Sequence, residues 1–332
     1  MATININNTE EESKKLSNEQ TYDSALTTMI TRLGNYVIPL VNEAFGENYD
    51  DQALVILRNN KHVLLQLDES RPRRDSDAYI EMPGNTKSSA SKFYLFECES
   101  AYDNTIFVRI AEYDSAVALE NIKVIGDEII ISHPNSAIIF LHPNSSIPKK
   151  MKMTHRGPNG EEMTYHTPTM AIEDYDVETV FKKKLLILLP FYLFKFSRRF
   201  NQMEVDAGKR KELEKALTDI NLRLEKLAEN GEINAYQKVT TKNLILRVSQ
   251  RLLLKYENTK REVENIMTGH VLRTYADDLL EQGIEQGNEE ATQLINFLWK
   301  NGRGADAEKA ETDKSYLKKL LEQFKTGTLT TS

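Results

Sequence analysis

The stretch KFYLFECES, Lys92–Ser100, decides the fold. On a β-strand alternate side chains share a face, so Phe93, Leu95, Glu97 and Glu99 point one way and Tyr94, Phe96 and Cys98 the other. The second face is apolar throughout, and the first is apolar until it turns acidic at its end. A strand covered on both sides reads this way, not an edge strand wetted on one. Downstream, TIFVRIAEYDSAVALE at 105–120 places Ile106, Ile110, Tyr113 and Val117 on one helical stripe, with Asp103 or Asn104 available to cap its start. Upstream, DAYIEM at 77–82 and HVLLQL at 62–67 read as strands, as do EIIIS at 128–132 and AIIFLH at 137–142, each bounded by turn residues. Before them, Leu26, Ile30, Leu33, Val37, Leu40 and Val41 follow helical spacing from Tyr22 to Ala44, with Pro39 set to kink or break that helix late. Helix, strands, helix and further strands make a mixed-sheet α/β domain over residues 21–200.

Residues 1–20 are polar and acidic, too poor in hydrophobes to order themselves, and read as a disordered tail. After residue 150, MKMTHR-GPNG-EEMTYH is a β-hairpin turned by Gly157, Pro158, Asn159 and Gly160. From about Val177 onward the pattern is helical, and residues 201–332 form an all-α C-terminal region. Leu213, Leu217, Ile220, Leu224 and Leu227 recur at alternating four and three residues. That stripe suits an antiparallel helical hairpin with the segment after Gly231, and equally a coiled-coil-like arm that joins two copies into a homodimer.

Composition excludes several classes. One cysteine in 332 residues cannot form an internal disulfide, and MATININNTEEESKK lacks the apolar core of a secretory signal, so a cytoplasmic setting is expected. The apolar run LLILLPFYLF at 185–194 is interrupted by Pro190 and falls short of the roughly 20 residues that span a bilayer, so it is expected to be a buried joint with no membrane partner. A net charge of -7 argues against a protein that grips polyanions by bulk charge, though not against a nucleic-acid enzyme. Residues 1–150 carry 14 basic against 22 acidic side chains and the rest 29 against 28, so the net negative charge lies in the first half. No Gly-rich phosphate loop, CxxC pair or spaced Ser/His/Asp set is present.

The chemistry therefore concentrates on Glu97 and Glu99. Like charges side by side repel unless a proton or cation is shared, and a divalent metal resolves the conflict. Were DAYIEM a neighbouring strand, Asp77 would complete a three-carboxylate oxygen site of the kind Mg2+ prefers.

VNEAFGE at 41–47, Asp77, KFYLFECESAYDNTIFVRIAEYDSAVALE at 92–120, KKKLLILLPFYLFKF at 182–196 and NFLWKNGRGADAEKAETDKSYLKKLLEQF at the C-terminal end together resemble the PD-(D/E)XK nuclease superfamily. Within it, the chain is similar to the bacterial recombination-promoting nuclease, or putative transposase, group, over roughly residues 22–325. The resemblance implies a restriction-endonuclease-like αβββαβ core and a metal-dependent DNA endonuclease linked to recombination or mobile elements. It implies catalytic roles for Asp77, Glu97 and Glu99. A Mg2+ ion, or Mn2+, would be held by Asp77, Glu97 and the backbone carbonyl of Cys98. DNA is the implied partner.

Glu99 departs from the family pattern, which has Lys or Gln at that place, and a carboxylate supplies no positive charge to a phosphoryl group. Glu99 would then hold a second metal or act as general base. The alternative is a catalytically decayed nuclease fold that binds DNA or serves assembly without cutting. Arg109 and Tyr113, four apart on the following helix, share a face. The resemblance implies that Arg109 contacts a phosphate and Tyr113 orients it; equally, Arg109 pairs with Glu112, Asp114 or the carboxylate cluster, and Tyr113 packs in the core. Glu43, near the end of the first helix, is either a further metal-site partner or a solvated helix-end acid. His133, His142, His155 and His166 lie in turn and hairpin contexts and are not expected to form a zinc site. The clusters Lys149/Lys150/Lys152, Lys182–Lys184 and Lys209–Lys211 are candidate backbone contacts or ordinary solvated surface.

Overall fold

The computed structural model describes residues 22, 24–58, 78–84, 90–100, 105–268 and, nearer the C-terminus, 294, 297, 298, 303, 306, 309, 310 and 314–325. The expected tail at 1–20, the expected strand HVLLQL at 62–67 and Asp77 lie outside the described residues. The chain divides into two compact units, Met1–Gly269 and His270–Ser332.

Among the described residues, the first unit is built on a mixed six-stranded sheet in the order β1-β2-β3-β6-β8-β7. Its strands are β1 (Ile56–Leu57), β2 (Ala78–Met82), β3 (Lys92–Glu99), β6 (Asn135–Phe140), β7 (Lys150–Arg156) and β8 (Glu162–Ala171), while β4 (Lys123–Ile125) and β5 (Glu128–Ile130) form a separate ribbon. β3 runs antiparallel to β2 and parallel to β6, and β6 runs parallel to β8. A parallel pair needs a long crossover, which α3 (Thr105–Glu120) supplies between β3 and β6. Strand and helix cover the stretches read from the sequence, because both carry strong periodic patterns.

Both faces of β3 are covered. Tyr94, Phe96 and Cys98 enter the main core, whereas Leu95, with Phe93 at its margin, packs on Ile106, Ile110, Tyr113 and Val117 of α3. The first helical pattern divides in two: α1 covers residues 24–32, a 3-10 turn follows at Gly34–Tyr36, and α2 runs Val37–Phe45. The break precedes Pro39 because an unbroken helix would drive its ring into the carbonyl of Asn35. In the first turn of α2 its missing N–H leaves no bond unmade. Phe45 packs on Tyr94 and Phe96 with ring centroids 5.1 and 5.7 Å apart, so α2 lies on the sheet face opposite α3.

The run at 185–194 is a buried joint, as expected. It lies in a 3-10 stretch, Leu186–Arg199, whose apolar side chains are buried in the main core. Among the described residues, no helix is long and apolar enough to cross a membrane.

Before it lies α4 (Val177–Lys182), and beyond it come α5 (Phe200–Val205), α6 (Ala207–Glu229), α7 (Ala235–Leu252) and α8 (Glu257–Thr268). Asn234 and Gln237 form a capping box at the start of α7, and Gly231 takes the left-handed φ of 73° that the α6–α7 turn requires. Glu225 of α6 pairs with Lys238 and Lys242 of α7. Leu213, Leu217, Ile220 and Leu224 are buried in the same core as Tyr94 and Phe96. The stripe is therefore spent inside the unit, joining helices to sheet, and does not form an arm open to a second copy. Truncating Leu217, which is fully buried, is expected to cost about 2–5 kcal/mol, checked by urea unfolding of Leu217→Ala.

On the β4–β5 ribbon, Val124 and Ile129 stand opposite each other and are 68% and 63% exposed, an apolar pair that the described unit leaves in solvent. In the second unit, Leu294, Leu298, Ala310 and Leu320 form a small core under α9 (Lys314–Lys325), and Asp306 accepts a 2.6 Å bond from the Tyr316 hydroxyl and pairs with Arg303.

Candidate active site

The carboxylates of the central strand stand where its apolar pattern ends. Glu97 is 3% exposed on the α3 side of β3, with Ile138 of β6 beside it in register. Glu99, two residues on, shares that face and is opposite Phe140. The antiparallel register sets Ala78, the first residue of β2, beside Phe96, so the start of β2 meets the acidic end of β3. Glu99 accepts an ion pair from Arg109, one turn into α3. Of the alternatives open for Arg109, the structure shows the carboxylate cluster. Its Nε is buried and has no hydrogen-bond partner, while about a quarter of the side chain is exposed.

The other expected site residues divide between the two faces. Tyr113 is buried against Leu95 and Phe140 in the α3-side core, which is the packing alternative. The Cys98 thiol is buried on the opposite face. Its backbone carbonyl points toward β2: Glu99 O accepts from Leu141 N on the β6 side at 2.9 Å, and successive carbonyls alternate along a strand. Glu43 is held away from Glu97 and Glu99. It lies on α2, across the sheet, paired with Lys183 at 2.7 Å and accepting from Tyr175 Oη at 3.2 Å. Lys184 pairs with Asp51, so two members of that basic cluster are engaged by acids. The four histidines do not converge as one set: His142 bonds Ser197 Oγ at 3.1 Å and packs on Phe194, and His166 stands opposite Lys152 on the β7–β8 hairpin.

One further acid joins α3 to the sheet. Asp114 is fully buried and accepts from the Ser136 hydroxyl on β6 and, at 3.2 Å, from the Tyr165 hydroxyl on β8, tying α3 to two strands. Burial pushes its carboxyl up to about 6 against the opposing effect of these two hydroxyls. Its spacing gave a signal, since it lies four residues after Ile110 and three before Val117, on the buried stripe. Ser136 faces Leu95 and Ile138 faces Glu97, so this network sits two residues, about 7 Å, along the sheet from Glu97.

Among the described residues, no group of three or more His, Cys, Asp or Glu side chains is arranged to hold a metal ion. The donors that do gather at the end of β3 are oxygen atoms, the class hard dications take. Glu97, 3% exposed, sets an anionic oxygen donor of that class inside the fold at this end of the strand. Glu99 fits less well as a ligand, because Arg109 already occupies it. No family model, no curated protein and no solved structure matches the chain.

Proposed function

We propose that the chain is a cytoplasmic, metal-dependent DNA endonuclease of the PD-(D/E)XK type, acting in recombination or mobile-element movement. The observation that supports this most is the buried Glu97 beside the Glu99–Arg109 pair, at the end of an inner strand flanked by one antiparallel and one parallel neighbour. In this proposal Glu97, Asp77 and the Cys98 carbonyl hold Mg2+ or Mn2+. The ion, when bound, makes a coordinated water more acidic and offsets charge on the phosphodiester. Arg109 supplies the positive charge that position 99 lacks, and Glu99 positions its guanidinium. Tyr113 supports α3 from within the core.

The homodimer belongs to the proposal too, through a surface other than the α6 stripe. A DNA contact by Arg109 has a measurable signature. Arg109→Ala is expected to weaken DNA binding across sequences and to reduce the slope of log affinity against log salt by about 1, measured by fluorescence anisotropy from low to moderate salt. An unchanged slope would leave Arg109 as a purely structural partner of Glu99.

The second reading, a non-catalytic DNA-binding or assembly protein on a nuclease-like fold, draws on the same ion pair. With Glu99 neutralising Arg109, the site has little net positive charge to offer a phosphoryl group. Supercoiled plasmid incubated with purified protein and Mg2+ or Mn2+ separates the two. Metal-dependent nicking supports the nuclease; retained DNA binding with no cutting at any metal concentration supports the second. Glu99→Lys raises cutting if a lysine is what the site lost, and lowers it if the Glu99–Arg109 pair is needed.

A further inference from the structure

At the other end of β6 two histidines meet that the sequence keeps far apart. His133 lies just before the strand and His155 on β7, and their ring centroids are 5.3 Å apart. The ring of Tyr165, on β8, lies 5.7 Å from His133 and 5.5 Å from His155, stacked on the latter. The hydrogen bonds around Tyr165 assign a tautomer to His155. Its hydroxyl is 3.2 Å from Asp114 Oδ2, 2.7 Å from Met153 Sδ and 3.2 Å from His155 Nε2. A carboxylate and a thioether accept only, and the Asp114 carboxylate is the strongest acceptor of the three, so the single phenol proton is assigned to it. The remaining contact is then His155 Nε2–H donating to the phenol oxygen, which leaves the lone pair of His155 on Nδ1. His133 Nδ1 is buried and has no hydrogen-bond partner.

Two imidazoles that share one tetrahedral ion through bonds of about 2.0–2.1 Å have ring centroids about 5 Å apart. The observed 5.3 Å matches that separation. We propose that His133 and His155 form a binding site for a late first-row transition dication, with both imidazoles as ligands and solvent completing the coordination.

Nitrogen donors favour Cu2+, Ni2+ and Zn2+ over Mg2+ and Ca2+, and Cu2+ binds most tightly in that series. Tyr165 and Asp114 act as the outer shell that orients His155, as hydrogen-bonded phenols and carboxylates do behind metal-bound histidines. Burial, with His155 adding to it and the Asp114 backbone opposing, holds the His133 imidazole below its ordinary pKa. The site is separate from the acidic end of β3, since His133 precedes Asn135, which pairs with Tyr94 near the start of that strand. It stands whether or not the chain is a nuclease.

The test is calorimetric titration of the metal-free full chain with Cu2+, Ni2+, Zn2+ and Mg2+, with paramagnetic resonance of the one-to-one Cu2+ complex. One equivalent of Cu2+ is expected, with hyperfine structure from two imidazole nitrogens. Its affinity should fall at least tenfold in His133→Ala and in His155→Ala, and about tenfold in Tyr165→Phe. His142→Ala and His166→Ala should bind like the parent, and Mg2+ should not compete. A spectrum showing one nitrogen or none overturns the site on the unmodified protein, whatever the variants do to folding. Equal losses in all four histidine variants would mean scattered surface binding and overturn it as well.

Discussion

Glu97→Gln is expected to remove metal-dependent plasmid cleavage by at least about 100-fold, a loss of roughly 2.7 kcal/mol of transition-state stabilisation, without lowering thermal stability. The two halves of this expectation have one cause. Glu97 is 3% exposed, so its side chain is held by close packing, and its carboxylate is the anionic group proposed to hold the ion. The amide keeps the shape and one acceptor oxygen, which preserves the packing, and removes the charge, which deprives a metal of its anionic ligand. Outer-shell partners of metal sites already cost 10–100-fold on removal, so a ligand should cost at least the upper figure. The measurement is nicking of supercoiled DNA in Mg2+ and Mn2+, beside melting curves for both proteins. Cleavage undiminished in the amide variant would sink the assignment of Glu97; a sharp fall in melting temperature together with lost cleavage would make it a folding residue instead.

The second large effect concerns Asp114 and pH. Burial raises its carboxyl from 3.8 to about 6, despite the Ser136 and Tyr165 hydroxyls that favour the charged form. A carboxyl that holds its proton more tightly folded than unfolded favours the folded state most below its unfolded pKa. That advantage is lost as pH rises from about 4 through about 6. The shift of about two units corresponds to an ionisation cost on the order of 3 kcal/mol at neutral pH. Asp114→Asn should therefore be more stable than the parent at pH 8, by up to that amount, and nearly equal to it at pH 4, because an amide can still accept from Ser136. Urea unfolding of both proteins from pH 4 to pH 8 provides the comparison. A difference that does not change with pH, or a variant weaker at pH 8, would show that Asp114 is compensated by something besides these hydroxyls. Asp114→Ala is a poorer probe, since it leaves two hydroxyls and a cavity behind.

Much of strand β3 is legible in the sequence. The period of two placed Glu97 and Glu99 on one face, and apolar residues on both faces of KFYLFECES required cover on each side, which α3 and the main core provide. The stripe through α3 put Tyr113 inside, and the same spacing carried Asp114 with it. The pairing of Arg109 was narrowed to a few acids and no further. Which acid it meets depends on where along β3 the helix comes to rest, and that is fixed by the packing of Ile106, Ile110 and Val117 against Leu95 and its neighbours. The α6 stripe shows the same boundary. Its Leu spacing specifies an apolar seam but not whose surface fills it, because an intramolecular partner and a second copy offer the same hydrophobic gain. Here the chain's own core fills it.

Local periodicity, turn residues and the shortage of long apolar runs settled by themselves that this is a mixed α/β chain with a helical C-terminal part, carrying two neighbouring carboxylates on an inner strand. Those features arise from interactions within a few residues, which the order of side chains specifies directly. The Glu99–Arg109 pair, the burial of Asp114 between α3 and two strands, and the meeting of His133 with His155 join positions 10 to 51 residues apart. Only strand register and helix packing bring such positions together, because the contacts exist only after the chain has closed those loops around a common core.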